Sequence, residues 1–323
     1  MLNFEEFAME VKENLKEYLP EKYENSKIVV KDVEKCNGTR KGIVIMPEEV
    51  TGTNIAPNLY LEKYYDDYLG GEELANVMEA IASDYARADK DIDVSMLYEV
   101  MDDRDLFLSC IIPQVINTER NEGLLRNALN RPFNDMSVVY KIKLASFDDG
   151  MATVTVTDNI AEKMNVTEQD LFEHAMENLT REGQISARSM MEVMKDMMGE
   201  DFPIDDMLEE GPPMYVVTTA DKQYGAAGML DTNTLDYVCE KMEDDVYILP
   251  SSIHEIICVP KSMGDVGYFA DMVQSVNSEQ VAPDEFLSDN VYSYSTLDKV
   301  VKQETGLDRN MDLTPDNESR GRR

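Results

Sequence analysis

Histidine and cysteine are scarce in this chain, and positive charge is heavily outnumbered. Only two histidines, His174 and His254, occur in 323 residues. A His-rich metal centre is thereby excluded, and any zinc site would have to draw on cysteine or carboxylate ligands. The four cysteines, Cys36, Cys110, Cys239 and Cys258, stand far apart, with no pair at metal-knuckle or redox spacing. Reduced, structural thiols are the expectation. Lys and Arg number 30 against 65 Asp and Glu, a formal net charge of −35, and no Lys/Arg-rich stretch makes a local exception. A surface of that sign repels phosphate backbones and anionic headgroups, which excludes direct nucleic-acid binding and charge-driven membrane binding. No apolar run approaches the roughly 18 residues that span a bilayer. The start, Met1-Leu2-Asn3-Phe4-Glu5-Glu6, is acidic where a secretory signal would be basic. A cytoplasmic location is therefore expected.

What remains suffices for a core. Hydrophobic residues make up 43% of the chain, and the length suits one large or two modest domains. Phe4, Phe7, Ala8, Val11, Leu15, Tyr18 and Leu19 recur at three- and four-residue steps up to Pro20, which predicts an amphipathic helix. Ile28 to Val33, Gly42 to Ile45 and Ile55 to Leu61 are β-branched or aromatic runs parted by Asn37-Gly38 and Thr51-Gly52, so they read as a three-stranded meander. Leu74, Val77, Met78, Ile81 and Tyr85 return to helical spacing after Gly70-Gly71. Beyond the acidic connection Asp102-Asp103, a strand is expected over Leu106 to Ile116, a short helix at Leu124 to Leu129, and a hairpin of Val138 to Leu144 with Met151 to Val156 through Asp148-Asp149-Gly150. Thr167 to Asp170 reads as a capping sequence for a helix carrying Leu171, Phe172, Ala175, Met176 and Leu179. Further helices are expected near Ser189 to Met198, Leu235 to Met242 and Val266 to Val276. Strands are expected at Met214 to Thr218, Ala226 to Leu230 and Val246 to Leu249, before a short Val291-Tyr292 segment. The predicted class is α+β, with antiparallel sheets and packed amphipathic helices. An N-terminal α-β-β-β-α region over 1–104 precedes a larger mixed region over 105–305, and a disordered tail over 306–323.

The second half reads Met214-Tyr215-Val216-Val217-Thr218, Gly225-Ala226-Ala227, Leu249-Pro250-Ser251-Ser252-Ile253-His254-Glu255, Val259-Pro260-Lys261, Met272-Val273, Val276-Asn277, and Leu287-Ser288-Asp289 with Val291-Tyr292. This string resembles a bacterial, clostridial family, the domain of unknown function numbered 5688. Asn54 to Leu61 and the central Asn121, Leu124 and Leu125 also fit it, so the resemblance covers nearly the whole chain apart from the tail. It implies no activity, cofactor or catalytic residue.

The sharpest candidate site is Ser251-Ser252-Ile253-His254-Glu255. His254 could act as general base on Ser251 or Ser252, since imidazole titrates near neutrality. Against this, Ser252 with Glu255 three residues on matches a capping box at a helix start. His254 and Cys258, four apart, also resemble part of a zinc-protease pattern, but a second histidine is missing and no metal site is assigned. The acidic clusters Asp102-Asp103-Asp105, Asp148-Asp149 and Glu200 to Glu210 lack EF-hand spacing and read as solvated loop charge. Gly225-Ala226-Ala227-Gly228 lacks both phosphate-loop patterns and reads as small residues in a close-packed strand. Met190, Met191, Met194, Met197 and Met198 form a helical stripe that either fills a core or faces a protein partner. Tyr60, Tyr64, Tyr65 and Tyr68 suit either an interface or a packed strand-to-helix corner.

Three functions stay open. A non-enzymatic binding or regulatory protein without cofactor is favoured by the lack of catalytic motifs, the charge and the methionine stripe; another protein is the partner expected. Its N-terminal element order also occurs in acidic secretion-chaperone-like folds, a likeness of topology alone. The alternatives are a hydrolase on Ser251, Ser252 and His254, and an acidic mimic of nucleic acid.

Overall fold

The computed structural model describes residues 1–47, 57–91, 95–147, 150–181, 184–198 and 213–306. The Thr51-Gly52 turn, Asp148-Asp149, the Glu200 to Glu210 cluster and the tail from residue 307 lie outside them. The fold is α+β, and the chain divides into two compact units.

The first unit comprises 1–131 and 139–178. It opens with helix α1 (Phe4–Asn14), whose Asn3 cap and Glu6 bond each other's backbone amides in a capping box. Strands β1 (Ser26–Lys35), β2 (Gly38–Pro47) and β3 (Leu59–Tyr60) form the expected antiparallel meander in that order. Its turn at Asn37 takes a positive φ of 59°. Helices α2 (Leu61–Leu69) and α3 (Leu74–Asp91) follow. Phe7, Val11 and Leu15 pack with Ile28, Ile43, Ile45, Leu61, Val77, Met78, Ile81 and Tyr85 into one core. Past β3, the edge of β2 is finished by Tyr85: its hydroxyl accepts from the Ile45 amide (2.9 Å) and donates to the Ile45 carbonyl (3.2 Å). Of the tyrosine cluster, Tyr64, Tyr65 and Tyr68 belong to this packing. Tyr65 and Tyr68 stack with Phe4 and Phe7, and their hydroxyls hold the Leu2 backbone.

Helices α4 (Ser95–Asp102) and α5 (Arg104–Ser109) come next. The second corrects the strand expected from Leu106: Asp103 accepts from the Asp105 and Leu106 amides, so the acidic connection is a helix cap and only Ile111 onward is extended. Strand β4 (Ile111–Asn117), helix α6 (Glu122–Leu125) and strands β5 (Asn130–Phe133), β6 (Met136–Phe147) and β7 (Gly150–Thr155) build a sheet ordered β4-β6-β5, with β7 antiparallel to β6 as expected. Helices α7 (Asp158–Met164) and α8 (Glu168–Leu179) complete the unit. Thr167 and Asp170 exchange backbone-to-side-chain bonds at the head of α8, as the capping sequence predicts.

The second unit takes the hairpin tip 132–138 and everything from 179 on. Its elements are β8 (Ile185–Ser189), α9 (Met190–Met198), β9 (Tyr215–Thr219), α10 (Thr232–Met242), β10 (Val246–Pro250), β11 (Glu255–Pro260), α11 (Val266–Glu279), β12 (Tyr292–Tyr294) and β13 (Lys302–Gln303). The strands form an antiparallel sheet in the order β13-β12-β10-β11-β9-β8. Two expectations are corrected. Gly225 to Leu230 is a 3-10 helix, not a strand, although its small residues do mark close packing: a β-carbon on Gly228 would lie 2.5 Å from Val217. Glu255 opens a strand, not a helix. Ile256 and Cys258 face inward at full burial, and the strand is paired on both sides, by β10 and β9.

Candidate functional site

The Ser251 to His254 segment is the turn between β10 and β11, so the capping-box reading of Ser252 and Glu255 gives way to hairpin chemistry. The Ser252 amide donates to the Glu255 carbonyl (3.3 Å), and the Ser252 hydroxyl accepts from the His254 amide (3.0 Å). Ser251 donates weakly to the Glu255 carboxylate at 3.5 Å. Three bonds tie the turn to its surroundings: the Ile253 amide to the Glu285 carbonyl (2.9 Å), the Ala226 amide to the Ile253 carbonyl (3.3 Å) and the Thr218 hydroxyl to the His254 carbonyl (2.9 Å).

The imidazole looks away from both serines. His254 Nδ1 accepts from the Tyr224 amide at 3.2 Å, which assigns the proton of the neutral ring to Nε2, 3.7 Å from the Glu285 carboxylate. The ring stacks on Tyr224 at 5.9 Å and 16°. Neither nitrogen bonds Ser251 or Ser252. Burial lowers the His254 pKa from its ordinary value, against the raising influence of Glu285, Glu255 and Asp284. Tyr224 is held at φ +57° and Lys222 at +54°, a region costly for bulky residues. Gly225 is required next to them, since a β-carbon there would lie 2.2 Å from the His254 carbonyl oxygen. Cys258 is fully buried in β11, and burial pushes its thiol pKa up. Among the described residues, no group of three His, Cys, Asp or Glu side chains is placed to hold a metal ion.

The methionine stripe occupies α9, a helix with no fully buried residue. Ser189 and Glu192 form a capping box at its head, and Arg188 pairs with Asp196 at 2.6 Å on its polar side. Met190, Met191 and Met194 are half-buried, while Met197 is 81% and Met198 52% exposed. The strand leading into the helix, β8, is the outer strand of its sheet and is half-buried along its length. A groove of about 460 Å³ runs beside it between Arg181, Ser186, Asn233 and Tyr237. A second groove of about 500 Å³ is acidic, with Asp236, Glu240, Glu243, Asp244 and Asp245 facing Lys299.

Two polar clusters were not singled out from sequence. In the second unit, Asp135 at the hairpin tip accepts from Ser288 (2.8 Å), Asn290 (3.0 Å) and the Tyr292 hydroxyl, and Ser288 and Tyr292 are buried. In the first, Glu168 accepts twice from Arg131 (2.9 Å each) and from the buried Tyr140 hydroxyl, while Arg131 stacks on Phe172 at 3.7 Å. Burial opposes ionisation of Glu168, but Arg131 and Tyr140 outweigh it and lower the pKa. Only the Ser288 and Tyr292 half had a signal, as part of the string quoted for the family resemblance.

The model of a family of unknown function (DUF5688) matches residues 4–296, and the chain belongs to that family. Neither the curated proteins nor the solved structures contain a match to it. No helix among the described residues is long and apolar enough to cross a membrane.

Proposed function

We propose that this chain is a non-enzymatic binding or regulatory protein that engages another protein through α9. The observation that carries this reading is the exposure of Met197 and Met198 at the end of a helix none of whose residues is fully buried. Flexible thioethers on an open helical face suit adaptable apolar recognition. The net charge of −35 adds long-range attraction for a partner with basic residues around its apolar contact. Hydrolysis on Ser251 or Ser252 is the weaker reading, because the Tyr224 amide occupies the imidazole nitrogen that would have to accept the serine proton.

Affinity capture of tagged wild type and of M197E/M198E, at about 150 mM and about 500 mM salt, tests the reading; a Debye length of about 10 Å or less at these salts suppresses adventitious basic proteins. A stoichiometric partner held by the wild type at both salts and lost by the double variant is expected. A partner retained by the variant, or none at either salt, contradicts it.

A further inference from the structure

Strand β8 is the outer strand of its sheet, and the phase of its hydrogen bonds is fixed at its two ends. The Gln184 carbonyl accepts from the Ala220 amide (2.9 Å), and the Met190 amide donates to the Met214 carbonyl (2.8 Å). Both pairs continue the register of β8 with β9, and bonded pairs recur at every second residue of an antiparallel ladder. Ser186 and Arg188 therefore bond β9, while Ile185, Ala187 and Ser189 turn amide and carbonyl to the outer edge. The Ser189 amide is taken by the Glu192 carboxylate at the head of α9 (2.9 Å). Ile185 and Ala187 have no such cover among the described residues, and both are half-buried.

The groove of about 460 Å³ runs along this stretch. Ile185, Ser186 and Ala187 line one side of it, and Asn233, Thr234 and the 44% exposed Tyr237 of α10 line the other. The Ile185 side chain points toward the 3-10 helix that leads into α10, since a β-carbon on Gly228 would lie 3.3 Å from it. Arg188, on the opposite face of the strand, pairs with Asp196 of α9. The groove and the α9 face are thus two separate surfaces.

We propose that β8 takes an extended segment of another protein as an added strand, its main chain on Ile185 and Ala187 and its alternate side chains in the α10 groove. An open edge supplies main-chain bonds, and a groove beside it selects side chains. Ser186, Asn233, Thr234 and Tyr237 offer hydroxyl and amide groups, which suit small polar side chains. The charge chooses between occupants: at −35 each, two copies of this chain repel one another, whereas a segment flanked by Lys or Arg is attracted. The same helix α10 also carries Asp236 and Glu240 of the acidic groove. This inference goes beyond the α9 reading and does not depend on it.

The test is selection of random displayed peptides of about twelve residues on the immobilised full chain, at about 150 mM salt. Enriched peptides with basic ends are expected. N-methylation of each peptide amide in turn should weaken binding by about tenfold or more at every second position and by less than about twofold between them, as one-sided strand pairing requires. A187P removes an outward amide while keeping the ladder to β9, a place where edge strands accept proline. It should weaken the same peptides by about tenfold or more, and Y237A, which alters only the groove wall, by severalfold. M197E/M198E should bind them as wild type does, which separates this site from α9. Absence of enrichment over bare support, or a methylation scan without the two-residue period, overturns the proposal even if A187P fails to fold. Unchanged affinity in folded A187P does the same, and unchanged affinity in Y237A overturns the part given to the groove. Peptides with acidic ends contradict the choice of partner. So does a dimer in sedimentation that A187P returns to monomer, since it would assign the edge to a second copy.

Discussion

His254 shows how a half-buried ring has its two nitrogens assigned by its neighbours. Nδ1 accepts from a backbone amide, so protonating that nitrogen breaks a bond to a residue already held at positive φ. With the folded-state pKa lowered, the unfolded chain binds the proton more readily. The contribution of His254 to stability is then complete above the unfolded value of about 6.5 and is lost as pH falls through that value toward the folded one. Urea midpoints measured from about pH 8 to about pH 5 should therefore fall more steeply for wild type than for H254Q. Asp135 makes a second prediction. D135A strips the acceptor from three donors, of which Ser288 and Tyr292 are buried. At about 1–3 kcal/mol for each buried orphan, a loss of about 3–5 kcal/mol in urea unfolding is expected, against about 1–2 for S288A.

Among the elements, helix α8 is predicted to lose about 1 kcal/mol on T167A, because one reciprocal capping bond goes with the hydroxyl. G225A should cost more, about 2–3 kcal/mol, since the new methyl meets the His254 carbonyl and the Thr218 backbone, which cannot move independently. M197E/M198E should stay within about 0.5 kcal/mol of wild type, because both side chains are exposed. Elements with a strong period or a clear cap were legible in the sequence: α1, the β1-β2-β3 meander, the β6-β7 hairpin, α8, α10 and α11. Where reading failed, local signals had two solutions. Ser252 and Glu255 carry a capping pattern, yet β11 is extended because pairing on both sides, from residues 6 to 14 positions away in β10 and 37 to 43 in β9, outweighs it. Asp103 reads as a connection in the sequence because Leu106 to Ile116 is largely apolar, interrupted only by Ser109 and Gln114, and apolar runs do not separate helix from strand. Of the candidate site, the residues were legible and the geometry was not. Nothing local says that the histidine turns to Tyr224 instead of to its neighbouring serines.

For the molecule as a whole, a net charge of −35 works against compactness by self-repulsion. The exposed ion pairs such as Lys302 with Asp298 are worth little in return. Salt should therefore stabilise the protein. Between about 10 mM and about 300 mM NaCl, as the Debye length shrinks from about 30 Å to below about 10 Å, Tm is expected to rise by several degrees. A flat or falling Tm would mean that attractive pairs outweigh the repulsion. On the proposed reading, the same charge would attract basic partners without choosing among them, and choice would rest with the apolar face of α9.

That face can be read directly by methionine oxidation. Purified protein and protein in freshly lysed host cells would receive the same brief dose of peroxide, and Met197 and Met198 would be compared with Met9, which is 59% exposed on α1 and serves as internal reference. A partner seated on α9 predicts that Met197 and Met198 oxidise severalfold more slowly relative to Met9 in the lysate than in the purified chain. Equal ratios in both samples would show α9 open in the cell's own protein mixture and would contradict the binding surface assigned to it.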